Sequence, residues 1–463
     1  MKTWPVLAAS LVGVACHAKS SGGLASLTTR LTSPVESCGY ELRLYESGKV
    51  RATARCKAEG WVKYRFAHPS LVASVSEAKL DELGEFVALD GAFTYVVDLA
   101  ELASRSDSFD RAAHVGASFM APLSSVLAMP EPLLTTDVPV TVQVETEAGL
   151  QVSVGLARGA GPNQYQLMAH EISVATYFAF GKLEQRELSL GDAKLQISKL
   201  DGGLDQSFEQ LSAWIAKSAH AVRDFYGVFP VPRATVTVLP VPDRDSVVFG
   251  KVLPESSPGI ALLVGQHASH HALYSDWILV HELFHTGFPS FFDEGKWLDE
   301  GLATYYEPII RVRAGLYSEQ QLWQEIAQSM PQGLPAFTEH GLETANDFRG
   351  IYWGGALACL VADVEARKRD LDKGLEVGIR ALHQAGGIAC EVWSLDDAIA
   401  IIDRALGVPT VAPIAKRHAA RGAPFDFEGL LRDLGVVRIA GGKVRLSDKA
   451  PLAAVRRAIT DKR

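Results

Sequence analysis

The chain has 463 residues, 48% of them hydrophobic and 21% charged, which excludes a largely disordered, collagen-like or coiled-coil protein. The 45 Lys and Arg residues against 54 Asp and Glu give a net charge of −9, with no basic block. Nucleic-acid binding needs cations to neutralise phosphates, and charge-driven membrane adhesion needs a polybasic segment, so neither partner is expected.

At the N-terminus, Lys2 precedes an apolar run from Trp4 to Ala15, interrupted by Pro5 and Ser10. A charged start and a short apolar stretch predict a secretory signal over residues 1–18. The run is too short to span a bilayer, which takes about 20 apolar residues. The small residues before Cys16 resemble a bacterial lipobox, which makes Cys16 the expected lipidation site and only membrane anchor. The protein is then an extracytoplasmic lipoprotein, periplasmic or at the cell surface. Soluble secretion, with cleavage after Ala15 or Ala18, is the alternative. Residues 19–37, rich in Ser, Thr and Gly, read as a flexible tether.

Four further cysteines follow, Cys38, Cys56, Cys359 and Cys390. An oxidising compartment favours disulfides, and four cysteines allow three connectivities. Nearest-neighbour pairing, Cys38 with Cys56 and Cys359 with Cys390, keeps each bridge within one expected domain. A buried thiol is the alternative for Cys359, which lies in an apolar, helix-like run.

Residues 38–203 carry short alternating runs such as Phe93–Val97 and Val138–Val144, punctuated by Gly, Pro and Asp. This period of two predicts an N-terminal antiparallel β domain. From residue 204 the pattern changes. Leu211, Trp214, Ile215, Val222 and Phe225 recur at helical spacing over 208–225, and strands are predicted at 234–240 and 260–265. Beyond Ser275 the chain reads as mainly helical. The expected class is α+β: a β domain, an α/β unit over 204–330, and a helical unit over 331–463.

The α/β unit contains His281-Glu282-Leu283-Phe284-His285, the pattern H-E-x-x-H. On a helix, residues four apart share one face, so both imidazoles can reach one metal ion. Glu282 is rotated about 100° from His281, beside such an ion rather than on it, where it can take a proton from an activated water. A catalytic zinc also needs a third protein ligand and an open position. Glu300, in Trp297-Leu298-Asp299-Glu300-Gly301, is the expected third ligand, reached across Gly287, Pro289 and Gly295. Glu294 is the alternative.

The H-E-x-x-H and W-L-x-E-G motifs, with Tyr305-Tyr306 beyond, resemble the gluzincin zinc metallopeptidases, most closely the glycyl aminopeptidase family, a relative of aminopeptidase N. A second match is Tyr352-Trp353-Gly354-Gly355-Ala356, similar to a helix opening of these families whose tyrosine stabilises the oxyanion. A third, weaker match is Asp426–Val436. The resemblance implies a thermolysin-like catalytic domain, a Zn2+ cofactor held by His281, His285 and Glu300, Glu282 as general base, Tyr352 as oxyanion donor, and peptides or unfolded proteins as substrates. It says nothing of oligomeric state.

The chain departs from the family in one stretch. Aminopeptidases there carry a Gly-rich segment with a Glu that binds the substrate's free amine. The corresponding segment here is Val248–Ser257, with Lys251 where an acid is wanted and Glu255 out of pattern. This opens an endopeptidase reading, with an extended peptide pairing along 260–264. A non-catalytic envelope lipoprotein on the same fold is the reading from another class. His267, His270 and His271 are expected in a solvated loop. Asp299 is expected to orient its helix start, and Thr304 either to support a ligand histidine or simply to pack.

Overall fold

A computed structural model describes residues 35–461, except 59–60, 70–71, 77–84, 90–91, 106–107, 132–137, 175, 255–256 and 292. Cys16, the signal, the tether up to residue 34 and Glu255 lie outside the described residues.

Alternating burial builds the N-terminal part. Along Lys49–Ala58 the side chains of Val50, Ala52, Ala54 and Cys56 point inward, and along Val35–Leu44 those of Cys38, Tyr40, Leu42 and Leu44 do the same. These two strands pair antiparallel, with Cys38 opposite Cys56 and joined to it by a disulfide. They are the middle of a seven-stranded sheet, backed by four-stranded and three-stranded sheets around one apolar core. The large sheet is mixed, a correction to the antiparallel expectation. Val35–Leu44 pairs parallel with Pro139–Thr146, because the chain returns by a long crossover rather than a hairpin.

A second, five-stranded sheet carries the next unit. Its order is Glu184–Leu190, Ala193–Lys199, Arg233–Val241, Gly259–Gly265 and Val247–Leu253. Its first two strands precede the division expected at 203/204, which therefore falls inside one continuous sheet and core. The helix Phe208–Tyr226 makes the crossover between the parallel strands Ala193–Lys199 and Arg233–Val241. Ser207 and Gln210 close a capping box at its start, and Gly227, at φ 86°, ends it. The outermost strand is Val247–Leu253, so the expectation of an open edge at 260–264 is corrected. Gly259–Gly265 is paired on both sides, by Arg233–Val241 and by Val247–Leu253.

The remainder is mainly helical, and three helices matter here. The motif helix is Ile278–His285, the ligand helix Lys296–Arg313, and a third runs Gly355–Arg367. The ligand helix and the third cross where Gly301 meets Gly355. A Cβ on Gly355 would overlap the Trp297 carbonyl oxygen and come within 2.8 Å of Gly301 Cα. Cys359 is buried on the third helix, and Cys359 and Cys390 both remain thiols, so the bridge expected between them does not form.

Candidate active site

The motif helix starts where the Asp276 carboxylate accepts the Leu279 backbone N–H at 3.0 Å, leaving one fewer unpaired donor in the first turn. Ile278, Leu279, Val280, Leu283 and Phe284 are buried and lock the helix into the core. The helix also lies close against the outermost strand. A Cβ on Gly250 would overlap Ile278 and reach 3.0 Å from Glu282 Cγ, and the Val252 N–H donates to Glu282 Oε2 at 2.9 Å.

This packing brings His281, His285 and Glu300 together. His285 Nε2 is 3.1 Å from His281 Nε2, and Glu300 Oε2 is 3.2 Å from His281 Nε2 and 3.5 Å from His285 Nε2. One ligand atom from each lies within 4.8 Å of the others. Nitrogen and oxygen ligands about 2.0–2.2 Å from a tetrahedral zinc sit roughly 3.3–3.5 Å apart, so this donor set fits such an ion. Glu294 is exposed and outside the cluster.

The electrostatics match a site built for a cation. Burial disfavours a charged Glu300, but the two histidines outweigh it and hold the carboxyl well below the usual carboxylate range. Burial also disfavours a charged His285, and Glu300 and Asp299 outweigh it, raising the imidazole pKa. Burial raises the Glu282 carboxyl, and both histidines pull it back.

Tyr352 lies on a π-helical turn, Arg349–Gly354, that feeds the third helix. Its ring stacks on His281 with centroids 5.7 Å apart. Burial, then the charges of Glu300 and Glu282, keep the phenol protonated. All five residues singled out for chemistry in the catalytic unit thus converge: three donors for a metal, a carboxylate beside them and a phenol over them.

Other residues surround the site. Asp299 Oδ1 lies 3.1 Å from His285 Nδ1, an arrangement that directs Nε2 toward the other donors. Thr304 makes no bond to either histidine. Its hydroxyl and His281 Nδ1 are both buried without a partner. Two exposed aromatics flank the cluster: Trp277 stands edge-on to His281 at 5.4 Å, and Phe348 stacks on Tyr352 at 4.2 Å. The spacing of four between Phe348 and Tyr352 is a helical signal that could have found it. From the N-terminal part, Asp110 takes a hydrogen bond from Lys251 at 3.0 Å and from the Tyr177 hydroxyl at 2.9 Å. His267, His270 and His271 lie at the surface, with His267 paired to Asp205.

No protein-family model and no curated protein matches the sequence. Solved structures do. An aminopeptidase N family protein from Idiomarina loihiensis superposes with a TM-score of 0.67 at 14% identity, over 89% of this chain and 82% of that one. A mutant M1 zinc metallopeptidase from Deinococcus radiodurans, bound to a Tyr-Ser-Ala substrate, matches with a TM-score of 0.51 at 14% identity, over 85% and 96%. A two-domain M1 zinc metallopeptidase mutant bound to L-arginine matches with a TM-score of 0.52 at 13% identity, over 84% and 95%. The chain therefore has the fold of the M1 zinc metallopeptidases.

Proposed function

We propose that the protein is a zinc-dependent metallopeptidase that hydrolyses peptide bonds outside the cytoplasm. The observation that carries this reading is the convergence of His281, His285 and Glu300 within 4.8 Å, with Glu282 next along the same helix. It is supported by a fold shared with M1 zinc metallopeptidases, one of them bound to a tripeptide substrate.

His281, His285 and Glu300 would hold the zinc ion, which when bound supplies the Lewis acidity that activates water and polarises a carbonyl. Glu282 takes the proton of the attacking water and returns it to the leaving nitrogen. Its Oε2 is held by the Val252 N–H, which leaves Oε1 for the water. Tyr352, its phenol kept protonated by burial and by the charges of Glu300 and Glu282, donates to the substrate's carbonyl oxygen as negative charge develops there. Among the described residues no strand pairs with the outer side of Val247–Leu253, so its outward backbone groups other than the Val252 N–H are open to an extended peptide.

The placement outside the cytoplasm, with Cys16 as lipid anchor, rests on the N-terminal sequence. The Cys38–Cys56 disulfide suits the same oxidising compartment.

The test is a mixed peptide library incubated with zinc-loaded protein and read by mass spectrometry. Glu282→Gln is expected to keep zinc and to lose cleavage by a factor of about 10²–10⁴. Wild-type rates in that variant would overturn the role of Glu282. A zinc-loaded wild type that cuts no peptide would overturn the peptidase reading and leave the non-catalytic envelope lipoprotein.

A further inference from the structure

The outermost strand has two unlike faces. Gly250 and Val252 meet the motif helix at Ile278 and Glu282. Successive side chains alternate across a strand, so Phe249 and Lys251 face the other way, where the N-terminal domain arrives. There Phe109 packs on Phe249 with ring centroids 5.6 Å apart and on Tyr177 at 6.4 Å. Asp110 bridges the two parts of the molecule: Lys251 Nζ donates to Oδ2 at 3.0 Å and the Tyr177 hydroxyl to Oδ1 at 2.9 Å. Tyr177 is buried, and Val252, next to Lys251, donates its N–H to Glu282 Oε2 at 2.9 Å, so the bridge borders that carboxylate. The Lys251 and Asp110 side chains are 34% and 38% exposed, open to a substrate lying along the strand.

We infer that Lys251 is a specificity-determining residue: by occupying Asp110 it excludes substrates that bring a free amino-terminal ammonium to this strand, and favours internal or amino-blocked bonds. The inference rests on the peptidase reading above. Asp110 is a carboxylate placed to receive an ammonium, and it already holds one that belongs to the protein. A substrate ammonium must displace Lys251 and face the released cation, whereas an amide at the same place displaces nothing. A repulsive element of this kind produces specificity without tightening the preferred complex.

The experiment uses one peptide made with a free and with an acetylated amino terminus. Cleavage of both is compared in wild type, Lys251→Met, Lys251→Arg and Lys251→Met/Asp110→Asn. Their Kd values are measured by calorimetry in the same set built on Glu282→Gln, which does not turn over. Wild type is expected to prefer the acetylated peptide by about tenfold or more in kcat/KM. Lys251→Met frees Asp110 and should swing the ratio by up to about fivefold toward the free amine. Lys251→Arg keeps the pair and the wild-type ratio, and the double variant cancels the swing. A ratio unmoved by Lys251→Met, or a swing that survives loss of Asp110, would overturn the inference, and a purely structural role would weaken both peptides alike. If no form cleaves either peptide, the peptidase reading fails, while the Kd ratios still decide whether Lys251 selects against an ammonium.

Discussion

Two acids on neighbouring turns of the chain do different work. Glu282 lies beside the metal-ligand set, held by the Val252 N–H. Asp276 starts the motif helix, and burial there raises its carboxyl pKa to about 6, against the pull of backbone N–H groups and Arg311. An acid whose pKa is higher folded than unfolded binds its proton more tightly in the folded state, so ionisation works against folding. This contribution is complete below the unfolded value near 4 and is lost as pH rises through about 6. Asp276→Asn keeps an acceptor for Leu279 and cannot ionise. It should be more stable than wild type above pH 6, by at most about 3 kcal/mol, with the difference closing toward pH 4. Urea unfolding of both proteins across that range checks it, and a difference independent of pH would contradict it. At this scale the sequence is readable where chemistry needs a fixed spacing, as in His281, Glu282 and His285. Lys251 and Asp110, 141 residues apart, carry no such local signal, and only the folded sheet edge brings them together.

The ligand helix delivers Glu300 to histidines on another helix, and it does so through backbone contact. Gly301, directly after Glu300, lies against Gly355, which opens the third helix just after Tyr352. A methyl group at either glycine meets the other helix's backbone, which cannot rotate away as a side chain would. Gly355→Ala should therefore cost about 1–3 kcal/mol of stability and weaken zinc binding as well, because Glu300 and Tyr352 move with their helices. Chemical denaturation and zinc titration measure the two effects, and wild-type values in both would refute this crossing as the device that sets the site. Helix 208–226 was legible from periodicity. Strand 247–253 was not: Val248 and Phe249 are exposed and Gly250 interrupts the pattern, because an edge strand has one open side and its Gly is there for the motif helix. The π-helical turn under Tyr352 likewise has no sequence period of its own.

Across the whole molecule, the class of each region could be read, but the division between them could not. Strands 184–190 and 193–199 pair with each other like the β strands before them, yet 193–199 pairs on its other side with Arg233–Val241, across a helical crossover. Pairing of that kind is decided by the crossover helix packing back on the sheet, which no local window reports. Leu190, Leu195 and Ile197 then share one core with the motif and ligand helices. A fragment beginning at 204 would lose two of five strands and expose that core, so it should fail to unfold cooperatively, while one beginning at 182 should retain a cooperative transition. Circular dichroism through a thermal scan distinguishes them, and a cooperatively folded 204–463 would refute the shared sheet. The Lys251–Asp110–Tyr177 bridge belongs to this scale too, since it ties the N-terminal domain to the strand that holds Glu282.

Zinc stoichiometry is the most direct test of the site. Stripped protein titrated with zinc should take up about one equivalent per chain, and His281→Ala, His285→Ala and Glu300→Ala should each lose it, while Glu282→Gln retains it. A folded wild type that binds no zinc, or an equivalent that survives removal of both histidines, would contradict the assignment of these three side chains to one metal.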